Sequence, residues 1–307
     1  DKRLSLTTQV LIGNSASLSV VGSTADPGDF ELRTLNDILA KDKINLTSGG
    51  ALVGLIADST IKTTTDLSKV QIGSGVTLNS IGDIDISARG TGDVEAKVNA
   101  EAYGAGTYIA GYTEATILPV NQVIIGGGGT TVHALGNLNI SSGTSINFAR
   151  DAYTVKTITD TFAGSAIPLD DLEAYGFVFQ TNDIQIASGA TLETARSIFL
   201  HAEDDGFADM ESKAKGTSWV SSVRDTLNGE SAEVYYSGYS NAEAHATVEV
   251  DGTLRTGLNR NKSLMITGWN AATGSITAST TGGITYTTSI EPLESSLLAE
   301  LERAEEM

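Results

Sequence analysis

The chain has 307 residues, 40% of them hydrophobic and only 6% aromatic, which is enough to bury a long thin core but poor in the bulky anchors of a compact globule. Thirty-eight acidic residues against 19 basic ones give a net charge of −19, a surface that repels nucleic-acid phosphates and anionic membranes and so excludes a DNA-, RNA- or lipid-binding role. Cysteine is absent, so neither a disulfide nor a thiolate metal site holds the fold, and no apolar run reaches the roughly 18 residues of a membrane span.

The start, Asp1 to Leu6, does not resemble a signal peptide, and a repeated pattern is under way at Val10, so the chain reads as a segment of something longer. Val10, Ile12, Gly13, Ser17 and Leu18 open that pattern. A turn at Asp26-Pro27-Gly28-Asp29 leads to Phe30–Lys43, where Leu32, Leu35, Ile38 and Leu39 have helical spacing, leaving a helix or an irregular excursion open. Strand signals resume at Ile44 and Leu46, with Gly49-Gly50 as a turn, and continue through Leu52, Leu55 and Ile61.

The fullest copy is Val70 to Ala88, VQIGSGVTLNSIGDIDISA, and it returns without a gap at Ile184 to Ala202. Val70, Ile72, Leu78, Ile84 and Ile86 match Ile184, Ile186, Leu192, Ile198 and Leu200, and these ten residues are the expected repeat core. A third copy begins at Val123 with one residue inserted in the run Gly126 to Gly129, and a fifth begins at Val248 with a shortened turn. The starts at 10, 70, 123, 184 and 248 lie 60, 53, 61 and 64 residues apart. Apolar residues alternate with polar ones in short runs cut by glycine, which means short strands with one apolar face. One such unit cannot bury that face alone, so neighbours must stack into a solenoid.

At roughly 20 to 25 residues per coil, each period would hold two or three coils, and the chain would form a rod of about 12 to 15 coils, ~60 to 70 Å long. The alternating Ala96, Val98, Ala100 and Ala102, and again Ala242, Ala244, Ala246, Val248 and Val250, suit a narrow interior. The four glycines at 126–129 precede a strand pattern and lack a Lys-Ser/Thr pair, so they read as a turn and not as a phosphate loop. Ile158–Tyr175 reads as a loop with one helical turn after Pro168. Glu203–Ser240 is the longest excursion and gathers Trp219, Tyr235, Tyr236 and Tyr239, the expected recognition loop. Pro292–Met307 has Leu293, Leu297, Leu298 and Leu301 on one helical face, a helix that caps the stack, docks on a neighbour or begins another module. The expected division is therefore a β-repeat domain over 1–290 and an amphipathic helix over 291–307.

The V-x-I strand, glycine turn, A/V-T-L and G-D-I-x-I-x-A of Val70–Ala88, with its copy at Ile184–Ala202, resembles the repeats of secreted bacterial adhesins of the filamentous haemagglutinin type. The alanine-alternating segments Glu95–Ala102 and Ala242–Ala246 are similar to those of the giant leukotoxin-like filamentous adhesins. The resemblance covers most of residues 10–290. It implies an all-β, right-handed parallel β-helix, export through an outer-membrane partner and display outside the cell. It carries no catalytic motif.

The expected function is therefore an extracellular structural and adhesive fibre segment. Its partners would be a cell-surface or matrix polysaccharide or protein receptor, or further copies joined end to end into a filament, with no nucleic acid and no membrane insertion. The competing reading is a polysaccharide lyase or glycoside hydrolase, which needs paired carboxylates such as Asp170-Asp171 or Asp204-Asp205. Adjacent aspartates on a strand point to opposite faces, so no catalytic residue is assigned. No cofactor is expected. The acidic loops at Asp26/Asp29 and Glu203/Asp204/Asp205 are the places for calcium, though neither has an ordered ligand spacing. The histidines His133, His201 and His245 lie far apart, and the N-glycosylation patterns at Asn45, Asn139 and Asn261 matter only in a eukaryotic source.

Overall fold

A computed structural model describes residues 2–22, 28–144, 151–203, 207–219, 233–236, 238–256, 264–268, 274–280 and 284–290. The described elements are strands, and nearly all their pairings are parallel. The expected helix over 291–307 lies outside the described residues.

The chain runs repeatedly through three sheets in one order. The first circuit is β1 (Lys2–Ile12) in sheet A, β2 (Ser17–Val20) in sheet B and β3 (Phe30–Gly49) in sheet C. The second is β4 (Leu52–Ile72), β5 (Thr77–Ser80) and β6 (Ile84–Tyr103). In the third, β7 (Gly106–Ile117) and β8 (Pro119–Ile125) share sheet A, β9 (Thr131–Ala134) lies in B, and β10 (Leu138–Ser142) and β11 (Ala152–Gly164) share C. The fourth is β12 (Ile167–Ile186), β13 (Thr191–Thr194), β14 (Ile198–Ala202) and β15 (Phe207–Ser218), with β16 (Glu233–Tyr236) antiparallel on β15. The fifth is β17 (Gly238–Val250), β18 (Thr253–Thr256) and β19 (Leu264–Gly268), followed by the antiparallel pair β20 (Gly274–Thr280) and β21 (Ile284–Ile290) on sheet A. This order is compatible with a β-solenoid.

The five copies of the repeat lie one above another. Val10, Val70, Val123, Ile184 and Val248 are register partners in sequence, as are Leu18, Leu78, Val132, Leu192 and Leu254. Where sheets A, B and C meet, these side chains from the second circuit onward form the largest core cluster, with Val10 packed against it and Leu18 more exposed in the first circuit, and the ten expected repeat-core residues are all 1% exposed or less. The turn from A to B needs a left-handed backbone, which Gly75 (φ 68°) and Gly189 (φ 81°) supply without strain.

One repeat is thus one circuit, and the expectation of two or three coils per period is corrected. The described stack is five circuits, on the order of 20 Å along its axis, whereas β4 alone, with 21 residues, extends roughly 70 Å across it. The reason is that the strands do not stop where their apolar residues do. In β4 the inward positions Ser59, Thr63, Asp66 and Ser68 are polar, and in β11 they are Thr157, Thr159 and Thr161, all buried. Their hydroxyls bond inside the sandwich, Ser68 to Thr34 Oγ1 at 2.8 Å and Thr113 with Thr159 at 3.1 Å.

Two helical expectations also give way. Phe30–Lys43 lies within β3, with Phe30 and Leu32 pairing Ile84 and Ile86, and Pro168 lies within β12. Leu35 and Leu39 are 52% and 73% exposed on the outside of β3 while Ile38 is buried, so their helix-like spacing is that of two strand faces read as one.

Between the three-sheet core and the cluster of Ile61, Val94, Ile117 and Val155 lies a polar layer. At its centre is Asp151, 1% exposed, whose Oδ2 accepts hydrogen bonds from Gly90 N (3.0 Å), Asn121 Nδ2 (2.7 Å) and Gln180 Nε2 (2.9 Å). Arg89 Nε stands 3.5 Å from its Oδ1. A Cβ on Gly90 would lie 2.2 Å from the Tyr153 hydroxyl, so a larger residue here would press on that ring.

Candidate functional site: the aromatic face of sheet A

Alternation puts every second residue of β12 outside, and in Glu173–Phe179 these are Glu173, Tyr175, Phe177 and Phe179. Tyr175 and Phe177 are stacked with centroids 6.3 Å apart, and Phe177 and Phe179 are 6.0 Å apart with planes at 12°. The circuit before adds Tyr112, 5.7 Å from Tyr175, and the circuit after adds Tyr239, 5.9 Å from Phe177. Five rings from three circuits therefore tile one face, at separations where aromatic pairs attract beyond simple burial. Towards the tip of the sandwich the same face carries Tyr108, Leu169 and Ile56, 42%, 59% and 69% exposed. Monomeric proteins seldom leave so contiguous an apolar surface open.

Polar groups orient the rings. Tyr112 donates to Glu114 Oε2 at 2.7 Å, Thr116 donates to Glu114 Oε1 at 3.0 Å, and Lys62 pairs with the same Oε1 at 2.8 Å. Burial, and then the hydrogen bond to Glu114, pushes the Tyr112 hydroxyl well up, so it stays a donor. Burial pushes Glu114 up, but the hydrogen bonds from Lys62, Tyr112 and Thr116 outweigh it and hold the carboxylate low. Burial and the nearby Glu173 raise Tyr175. The face is therefore built for stacking and hydroxyl hydrogen bonding.

The residues expected to form a recognition loop are not together in one loop. Tyr239 is on β17, in register with Tyr175 and 52% exposed, so it belongs to the aromatic face. Trp219 follows β15 directly and is 57% exposed. Tyr235 and Tyr236 lie on β16, in register with Lys215 and Ala214. The sequence reading passed over Tyr175, Phe177 and Phe179, although Y-x-F-x-F is itself a period-two aromatic run.

Other candidates resolve differently. Asp170 and Asp171 project from opposite sides of β12, Asp170 half-buried and raised by that burial, so they do not form an acid–base pair. Asp204, Asp205 and Asp26 lie outside the described residues. Asp29 Oδ1 accepts the Asp83 N–H at 2.8 Å, and Asp83 Oδ1 in turn accepts the Asn137 N–H at 2.6 Å, a corner ladder that runs from circuit to circuit. His133, His201 and His245 lie on β9, β14 and β17, three strands of three sheets, with His201 Nε2 3.2 Å from Glu203 Oε2. No group of three or more His, Cys, Asp or Glu suited to a metal occurs among the described residues. Gly126–Gly129 forms the turn between β8 and β9, with positive φ at Gly128 and Gly129. Asn45 and Asn139 sit in amide ladders, to Asn99 at 2.8 Å and to Asp85 at 2.7 Å, and Asn261 lies outside the described residues. Among the described residues no helix is long and apolar enough to cross a membrane.

No protein family, curated protein or solved structure matches this chain.

Proposed function

We propose that the chain is a segment of an extracellular structural and adhesive fibre, a right-handed parallel β-helix that holds a binding face away from the cell. The observation that carries this reading is the five-ring aromatic face, spread over three stacked circuits and backed by ladders that fix its spacing. Rigid aromatics supply contact area at low entropic cost, and the acidic rim of Glu114, Asp171 and Glu173 accepts hydrogen bonds, a combination suited to a polysaccharide or a protein receptor. Right-handedness follows the strong preference of parallel crossover connections. The resemblance to filamentous haemagglutinin-type repeats agrees with this reading.

The test is attachment to cells and matrix glycans by the chain carrying Tyr175→Thr, Phe177→Thr and Phe179→Thr together. Threonine keeps strand preference, so the fold should persist with a lowered melting temperature, from the lost ring contacts, while attachment falls at least about tenfold. Undiminished attachment by a folded triple variant would move the binding face elsewhere.

A self-assembling filament is the second reading. It is favoured by β1, β2 and β3, each of which is paired along one edge only among the described residues, because open edges template further pairing. Sedimentation of the chain with Leu11→Lys, on the outward face of edge strand β1, tests it: assembly lost in the folded variant supports a filament, and a monomeric parent removes it.

A further inference from the structure

The outer face of sheet C is chemically unlike the rest of this acidic molecule. Lys41 and Lys43 on β3, Lys97 on β6, Lys156 on β11, and Lys213 and Lys215 on β15 are six of the chain's ten lysines. Most of them are matched. Lys41 pairs with Asp93 at 2.9 Å, Lys156 with Glu211 at 2.8 Å, and Lys213 with the other oxygen of Glu211. Lys43 and Lys97 differ: they are direct register partners on neighbouring strands, and neither forms an ion pair among the described residues. Like charges directly opposite each other on a sheet destabilise it. Glu95 shares the outward face of β6 with Lys97, but it stands opposite Lys41 and Lys156 and forms no ion pair with Lys43 or Lys97 among the described residues, so the two apposed ammonium groups leave a place for an anion supplied from outside.

Lys97 stands at one end of a groove of about 610 Å³ that crosses four circuits. Six residues further along β6, roughly 20 Å away, the groove ends at Tyr103 and Phe162, whose rings lie 5.8 Å apart and tilted at 49°. Between them Asn99 donates to Asn45 Oδ1 at 2.8 Å, leaving the Asn99 side-chain carbonyl and the two Asn45 side-chain N–H groups for a ligand. The carboxylates here are Glu101, which accepts from the Tyr103 hydroxyl at 3.1 Å, and Asp160, in register with Lys215 through the sequence Lys215-Asp160-Asn99. Lys43 and Glu95 both lie just beyond the groove lining, Lys43 beside Lys97 on β3 and Glu95 two residues before it on β6; the hydrogen bond to Asp93 raises Lys41 and that to Glu211 raises Lys156, with Glu95 adding to each. The groove is thus polarised, with Lys97 and the adjoining Lys43 at one end and acceptors beside an aromatic wall at the other. A polyanion would bring further negative charge against Asp160 and Glu101, whereas a ligand acidic at one end alone presents only hydroxyls to them.

We propose that this groove binds an oligosaccharide with a single acidic terminal sugar. The sugar carboxylate lies on Lys43 and Lys97, its neighbours' hydroxyls on Asn45, Asn99 and Asp160, and an apolar pyranose face on Tyr103 and Phe162. The site is on the opposite sheet from the aromatic face and stands or falls independently of it.

Calorimetric titration with 3′-sialyllactose at low ionic strength tests it, with lactose and tri-galacturonate as comparators. Sialyllactose should bind at least about tenfold more tightly than lactose, and Lys43→Gln with Lys97→Gln should remove about tenfold or more of that affinity. Tyr103→Ala with Phe162→Ala should cost about fivefold without changing the salt dependence. Without ligand, Lys97→Gln alone should raise the melting temperature, since it relieves the apposed charges, and this readout reports folding separately from binding. The proposal is overturned if sialyllactose does not bind, if lactose matches it, or if tri-galacturonate binds as well and the aromatic variant is silent, which would mark a simple ion-exchange surface. It is equally overturned if the lysine variant abolishes self-association and no sugar binds, which would make the occupant a second copy of the chain.

Discussion

Asp151 is a carboxyl group inside a β-sandwich, and its protonation follows from where it sits. Burial pushes it up to about 8, against the opposing pull of the Gly90 N–H, Arg89 and Asn121, and burial pushes Asp66 up to about 6 despite the hydrogen bond from Asn36. A folded-state pKa above the unfolded one means that the folded chain holds protons the unfolded chain has released. The associated stability is fully present below about pH 4 and is lost as pH rises through 6 and 8, with a slope of roughly 1.4 kcal/mol per pH unit for each group. Glu211, held down to about 2 by Lys156 and Lys213, acts in the opposite direction at lower pH, but as an exposed pair it contributes little. Asparagine imitates the protonated acid, so Asp151→Asn should melt like the parent near pH 4 and, once Asp66 has titrated, stay level between pH 6 and 8 while the parent declines; parallel decline over that window in thermal scans would contradict this. A second expectation concerns the glycine beside it. Gly90→Ala should cost about 1 to 3 kcal/mol in denaturant unfolding by pressing on the Tyr153 hydroxyl, and Tyr153→Phe should recover most of the loss. That hydroxyl is buried without a hydrogen-bond partner, so Tyr153→Phe alone should be neutral or slightly stabilising.

At the level of the strand, what was legible depended on which residues point inward. Where the inward residues are Val, Ile and Leu, as in Val70–Ile72, Thr77–Ser80 and Ile84–Ile86, alternation located the strands and register now stacks them. Where the inward residues are Ser, Thr, Asn or Asp, the same strands were invisible, because hydropathy cannot distinguish a polar side chain satisfied inside from one in water. That is why 20-residue strands read as short ones and why one circuit looked like several. The first circuit hides its copy for another reason: Val20 is followed by nine residues before Phe30, whereas only three separate Ser80 from Ile84. The aromatic face escaped notice because rings on β7, β12 and β17 come together only through register. For β3 the strand makes a distinct prediction from the helix. Ile38→Ala should cost about 2 to 4 kcal/mol, while Leu35→Thr and Leu39→Thr, on the outside, should stay within about 0.5 kcal/mol in the same unfolding measurement. A helix burying all four apolar residues would make the three substitutions alike.

For the whole molecule, stability is held between neighbouring circuits and not within any one of them. β4 and β12 are paired along both edges, whereas β1, β2 and β3 are paired along one among the described residues. Native-state hydrogen exchange should therefore be slowest in β4, β6, β8 and β12 and several orders of magnitude faster in β1 and β2. Uniform protection across all five circuits would mean a single cooperative unit with no graded interior. Breadth rather than length is the other property of the whole: a circuit of about 60 residues offers two wide faces, and the aromatic rings and the lysine groove occupy one each.

The corner ladder has a consequence for symmetry. Asp29 receives the N–H of Asp83, Asp83 that of Asn137, and Asn137 that of Ser197 at 3.4 Å, so each corner side chain accepts from the circuit that follows it and never from the one before. The stack consequently has a head and a tail that differ in chemistry. A contact that continued the ladder from one molecule to the next would join one head to one tail, a heterologous contact that propagates in a line. Growth that continues the ladder is therefore vectorial.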